Sequence, residues 1–146
     1  MAAIERQALS PEVRDFLAST KTPGVLATIG RSGGPVTSAV WFGLEGDAIV
    51  VSTPEGGSKA RNAGRDGRVS FIVDSRERPY RGVAIEGRAQ LQADAGLDRW
   101  RQIARRYLGD DLDEAMRRRA GAGPRIVIVI EPLRVRAWNL DGTVGG

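Results

Sequence analysis

The sequence contains no cysteine and no histidine. The first absence excludes disulfides and thiolate metal sites. The second removes the commonest general base, the commonest imidazole metal ligand and every histidine-dependent triad. Carboxylates alone could still hold a hard cation, but no clustered aspartate pattern supports one. No metal site and no catalytic side chain is therefore assigned. Lysine is nearly missing too: of 22 basic residues only Lys21 and Lys59 are lysines. No apolar run approaches the ~20 residues of a membrane span, and the first ten residues lack a signal-peptide core. A cytoplasmic protein without a membrane span is expected. There is no internal repeat and no low-complexity linker.

What is present describes one ordinary globular domain, residues 1–146, with 41% hydrophobic and 27% charged residues, enough for a single core. The formal charge is +4 and almost all of the positive side is arginine, whose planar fork suits phosphate and carboxylate. Arginines crowd residues 99–119, but Leu97, Trp100, Ile103, Ala104, Tyr107 and Leu108 interleave them at helical spacing. That pattern gives a core-facing helix with a solvated basic side, and no nucleic-acid partner is expected.

Ser10-Pro11-Glu12 reads as N-cap, first helical proline and acidic first turn, with the helix ending near Thr20 before Pro23-Gly24. Residues 25–29 and 36–42 are expected as a hairpin around the Gly-rich turn 30–35, and Glu45-Gly46-Asp47 turns into a strand at 48–53. A short helix over 58–64 precedes a strand at 67–74, in which Val69, Phe71 and Val73 recur at period two. Residues 76–80 form a basic loop, and 81–92 alternate as a strand with one wet face. Helices are expected over 95–108 and 112–120. Residues 126–130 are continuously apolar and β-branched, as in a strand covered on both faces. Pro132 marks a bulge or an edge before alternation resumes over 133–138. About six strands joined by short turns, with flanking short helices, define a small antiparallel β-barrel of the α+β class. A chain this short leaves little room for a private cavity, which favours pockets between two subunits.

The densest chemistry lies in residues 36–62. Ser52-Thr53, Gly56-Gly57, Ser58-Lys59 and Arg61-Asn62 combine hydroxyls, a glycine loop and a helix start, with Ser58 as the expected N-cap. Cations in the first helical turn oppose the macrodipole by roughly 0.3–1 kcal/mol each. A bound phosphate would turn that penalty into attraction. The alternative is a solvated turn in which Glu55 compensates Lys59. The spacing is not that of a nucleotide P-loop. In the strand before it, Thr37, Ala39 and Trp41 share one face and Val36, Ser38, Val40 and Phe42 the other. Small residues beside Trp41 could seat a planar ring, or Trp41 could pack in the core. Tyr80 and Trp138 are possible aromatic walls or packing residues.

With "VVST", a glycine loop, "SKARN", "RDGRVSFIV", "IEGRAQL" and "IEPLRVRAWNL" in this order, residues 17–140 resemble the pyridoxamine 5′-phosphate oxidase-like split β-barrel proteins. "SAVWF" followed by "ST" and "SKARN" is most similar to the actinobacterial-type flavin/deazaflavin oxidoreductases that use coenzyme F420. The resemblance implies a homodimer with two cofactor sites at the subunit interface. Thr37, Ser38, Ala39, Val40 and Trp41 would line the ring system. Ser52, Thr53, Ser58 and Lys59 would contact phosphate, and Arg61 and Asn62 would extend the basic pocket. FMN-type members often carry Arg and Lys in the ring-lining strand, and VTSAVWF has neither, which favours F420 over FMN. The implied activity is hydride transfer from the reduced deazaflavin to an unsaturated small molecule, the cofactor supplying the reactivity and the protein placement and water exclusion. An FMN-binding protein of the same fold, and a cofactor or haem-type carrier without turnover, are the alternatives.

Overall fold

The computed structural model describes residues 6–119 and 121–140. Helix α1 (Pro11–Ser19) starts as the sequence dictates: the Ser10 hydroxyl accepts from the Val13 amide at 3.2 Å, and Pro11 occupies the first turn. Its Val13 and Leu17 are buried against the sheet. Seven strands follow: β1 (Gly24–Ile29), β2 (Pro35–Val40), β3 (Gly43–Glu45), β4 (Ala48–Pro54), β5 (Arg68–Asp74), β6 (Gly82–Ala93) and β7 (Arg125–Trp138). Helix α2 (Ser58–Arg65) lies between β4 and β5, while α3 (Asp98–Leu108) and α4 (Leu112–Arg119) lie between β6 and β7. One strand more than expected is present because the run 36–42 breaks at Trp41-Phe42 and restarts as β3.

All pairings are antiparallel, in the order β2-β1-β5-β6-β7-β4-β3. The two edge strands are consecutive in the chain. Val40 ends one edge and Gly43 begins the other, and three Cα–Cα steps span at most about 11 Å. The sheet therefore curls until its edges meet at residues 41–42, without a continuous ladder of hydrogen bonds around it. The result is a split barrel with one seam.

Inside sit Leu26, Phe42, Ile49, Val51, Phe71, Val83, Ile85, Ile128 and Ile130 in one cluster. Val127 and Val50, on the opposite faces of β7 and β4, pack with Ile103 and Tyr107 of α3. This second layer explains the unbroken apolar run 126–130: both faces are covered. At Pro132 the register slips, from Glu86 opposite Arg134 to Gly87 opposite Pro132, so Leu133 is the extra residue of a bulge. A Cβ at Gly87 would stand 2.7 Å from the Glu131 carbonyl oxygen, so the bulge requires glycine there.

Helix α3 ties the seam shut. The Tyr107 hydroxyl accepts from the Phe42 amide and donates to the Thr22 carbonyl, both at 3.3 Å. Arg106 Nη2 donates to the carbonyls of Leu17 (3.0 Å) and Thr20 (2.8 Å) at the end of α1, with its guanidinium carbon 4.8 Å from the centre of the Phe42 ring. Burial, the largest influence, pushes the Tyr107 phenol above its ordinary pKa, against smaller opposing effects of its hydrogen bond to Phe42 and the Arg106 charge. A raised folded pKa gives stability that is complete below the unfolded value and lost as pH rises through the folded one. Thermal unfolding should therefore show a Tyr107 contribution that holds up to about pH 10 and disappears above it. In Tyr107→Phe that alkaline loss should be smaller, and an identical profile would place the loss elsewhere.

Candidate functional site

Beside the seam, the ends of β2 and β4, the start of α2 and one wall of α3 enclose a cavity of about 310 Å³. Six residues expected at a cofactor site line it: Ala39, Val40, Trp41, Ser52, Thr53 and Lys59. Of the two readings of Trp41, core packing is not adopted. The indole is 38% exposed and lies flat on Tyr107, with ring centres 5.0 Å apart and planes 6° apart. Val40 at the end of β2 and Phe42 in the link to β3 are both buried on either side of it. Thr53 is buried and Ser52 half-buried where β4 opens toward the helix start.

The start of α2 differs in one respect from expectation. Gly57, not Ser58, is the N-cap, and it offers no side-chain acceptor. The amides of the first turn thus have no protein cap, and the Ser58 hydroxyl is exposed one position further on. Lys59 is half-buried, and among the described residues it forms no ion pair, so Glu55 does not compensate it. A cation on a helix N-terminus without a carboxylate is destabilising unless an anion joins it.

Other expected site residues lie elsewhere. Arg61 turns back to the Gly56 carbonyl at 2.9 Å. Asn62 is buried (7% exposed), donates to the Thr28 hydroxyl at 3.2 Å and accepts from Arg65 at 3.4 Å, pinning α2 to β1. Thr37 faces a separate hollow on the outer sheet surface with Ile72 and Arg136, and Ser38, half-buried on β2, is not among the residues lining the cavity. Tyr80 (54% exposed) and Trp138 sit at the far end of β7, where Asn139 Nδ2 donates to the Tyr80 carbonyl at 2.8 Å.

Five lining residues were not expected from the sequence: Trp100, Ile103, Ala104, Arg125 and Pro54. The first three looked like core positions of a helix, and two of them, Ile103 and Ala104, are indeed buried. Arg125 opens β7 directly opposite Pro54, a register the sequence does not print. Asp94, buried at the foot of α3, accepts from the amides of Arg99 (3.2 Å) and Trp100 (3.0 Å) and so sets Trp100 into the cavity wall. The arginines of this region are mostly spoken for: Arg99 by Glu45, Arg101 by Asp98, Arg118 by Glu114.

A larger groove, about 670 Å³, lies between α1 and residues 75–81. It mixes Arg76, Arg78 and Arg81 with Glu12, Asp15 and Glu77, so it carries no net electrostatic direction. The smaller cavity, with aromatic and small walls on one side and cations on the other, has the chemistry of a ligand site. No group of three or more potential metal ligands occurs among the described residues.

A seven-stranded antiparallel sheet curled to a single seam, with helices over its flank, is a split β-barrel. The family described as pyridoxamine 5′-phosphate oxidase matches residues 9–139, and the chain belongs to that family, whose members bind flavins such as FMN and include oxidoreductases. Among solved structures, a conserved hypothetical protein from Mycobacterium tuberculosis is 28% identical, with 100% of this chain and 98% of that one covered and a TM-score of 0.75. An F420 reductase is 23% identical over 87% of this chain and 98% of that one, with a TM-score of 0.68. A heme binding protein from Mycobacterium smegmatis is 25% identical over 90% of this chain but 55% of that one, with a TM-score of 0.61. No curated protein matches the sequence. No helix among the described residues is long and apolar enough to cross a membrane.

Proposed function

We propose that the protein is a coenzyme F420-dependent oxidoreductase, acting as a homodimer on an unsaturated small molecule. The observation that carries this reading is the cavity itself. It is lined by Lys59, which opens a helix without a side-chain cap and forms no ion pair among the described residues, and by the uncharged stretch Ala39 to Trp41. When bound, the reduced deazaflavin supplies a hydride. The chain's own part is to hold the phosphate at Ser52, Thr53, Ser58 and Lys59 and to keep water from the ring with Trp41, Trp100 and Ile103. No described side chain is assigned as a proton donor.

The positions of Tyr80 and Trp138 support the dimeric part of this reading. Tyr80 and Trp138 lie near one end of β7 and Arg125 at the other, up to roughly 40 Å apart at 3.3 Å per residue. Within one chain neither of them lines the cavity that holds Arg125. In the proposed dimer, Tyr80 and Trp138 of a second copy complete the walls of this cavity.

Equilibrium binding of oxidised F420 and of FMN to the purified protein tests the cofactor. F420 should bind more tightly. A preference for FMN of tenfold or more, about 1.4 kcal/mol, overturns the assignment in favour of an FMN protein. Tight F420 binding, without oxidation of the reduced form by a panel of enones, quinones and tetrapyrroles, would instead mark a carrier.

A further inference from the structure

The cavity holds a second cation whose surroundings have no structural explanation. Arg125 Nε donates to the Ser52 hydroxyl oxygen at 2.9 Å and Nη2 to the Ser52 carbonyl at 3.1 Å. These bonds use two of the five N–H donors of a guanidinium. Half-buried, it forms no ion pair among the described residues. The one buried carboxylate whose charge acts on it, Asp94, is committed to the first amides of α3. Its other charged neighbour is Arg119, held over the Trp100 ring at 5.2 Å and bonded to the Gly123 carbonyl at 3.1 Å. Burial first, and then the Arg119 charge, press the Arg125 pKa below the ordinary arginine value. A half-buried guanidinium fastened beside a like charge is a costly arrangement unless an anion completes it.

We propose that Arg125 is the second cation of the clamp begun by Lys59, and that Ser52 is a positioning residue that aims its fork at the ligand's phosphate. The proposal rests on the phosphate-cofactor reading of this cavity. It assigns Ser52, whose hydroxyl accepts from Nε, to the support of the guanidinium rather than to the phosphate itself. Phosphate then meets an ammonium from the α2 wall and the free edge of a planar fork from the β7 wall. A phosphate has enough oxygens to meet both cations at once.

Inorganic pyrophosphate is a ring-free probe. It should raise the thermal midpoint of the wild-type protein, and Arg125→Ala should abolish that rise. No rise in the wild type, or an equal rise in the variant, overturns the proposal. For whichever of F420 or FMN binds, Arg125→Ala should weaken affinity about tenfold. Ser52→Ala should weaken it about threefold in the wild type and not at all on the Arg125→Ala background. An equal Ser52→Ala loss on both backgrounds would make Ser52 an independent ligand and overturn its positioning role. Arg125→Lys keeps the charge without the fork, guards against a folding defect, and should retain part of the pyrophosphate effect. The two readings fail separately. Arg125-dependent pyrophosphate stabilisation without binding of either cofactor would leave the clamp standing and remove the enzyme assignment. F420 binding indifferent to Arg125 would do the reverse.

Discussion

Lys59→Ala should weaken cofactor binding by about 1.5–3 kcal/mol, the range for a hydrogen bond to a charged group, or roughly 10- to 150-fold. The same change should leave the free protein as stable as before, or more stable by a few tenths of a kcal/mol. Both halves follow from its position. Lys59 stands in the first turn of α2, where the peptide dipoles present their positive end, and no carboxylate of the described chain pairs with it. Removing the ammonium relieves a repulsion in the empty protein and deletes an attraction in the loaded one. Fluorescence titration gives the first quantity and urea unfolding the second. An unchanged affinity would show that the helix start is only a turn. A large loss of stability would mean that Lys59 was retained for folding.

Phe42→Ala is the second large effect, here on stability. Phe42 has no exposed surface, meets the Phe71 ring edge-on with centres 5.0 Å apart, and lies under the Arg106 guanidinium. Truncating a buried phenylalanine costs about 3–5 kcal/mol. Its location adds a specific consequence. The Phe42 amide is one of the two groups that Tyr107 uses to hold the seam, so the cavity next to it should loosen together with the core. The midpoint of chemical denaturation measures the stability loss. Quenching of Trp41 fluorescence by added iodide, which its flat contact with Tyr107 should resist in the wild type, reports on the seam. A loss below about 1 kcal/mol would mean that the core relaxes around the gap.

The local part of this architecture was legible in the residues. Period-two alternation at Val69, Phe71 and Val73, the Ser10-Pro11 start and the β-branched run 126–130 fixed elements whose causes lie within a few residues. Lys59 was legible for the same reason, since its conflict with the helix dipole is a first-turn property. Arg125 was not, because it is 73 residues from the serine it grips and only the pairing of β4 with β7 brings them together. Trp100 was hidden differently: on a helix with a strong apolar face, a cavity wall and a core position have the same spacing. Asn62 carried the opposite ambiguity. A buried amide that ties α2 to β1 has the same sequence appearance as a polar ligand at the end of "SKARN".

The last strand among the described residues occupies the middle of the sheet. Strands β3 and β4 can form their own hairpin early, yet β7 is their sole bridge to β6 and the rest of the sheet. During synthesis the protein must therefore carry two unjoined sheet fragments, each with an unpaired edge, until residues 125–138 emerge and zip between them. Such long-range pairing is slow, on the order of milliseconds to seconds for sheets rich in non-local contacts, and leaves edges exposed meanwhile. The interval ends with Arg125–Trp138 in place, and the same step brings Arg125 to Ser52. A nascent chain stopped before that strand would have Lys59 but no cavity for it to serve.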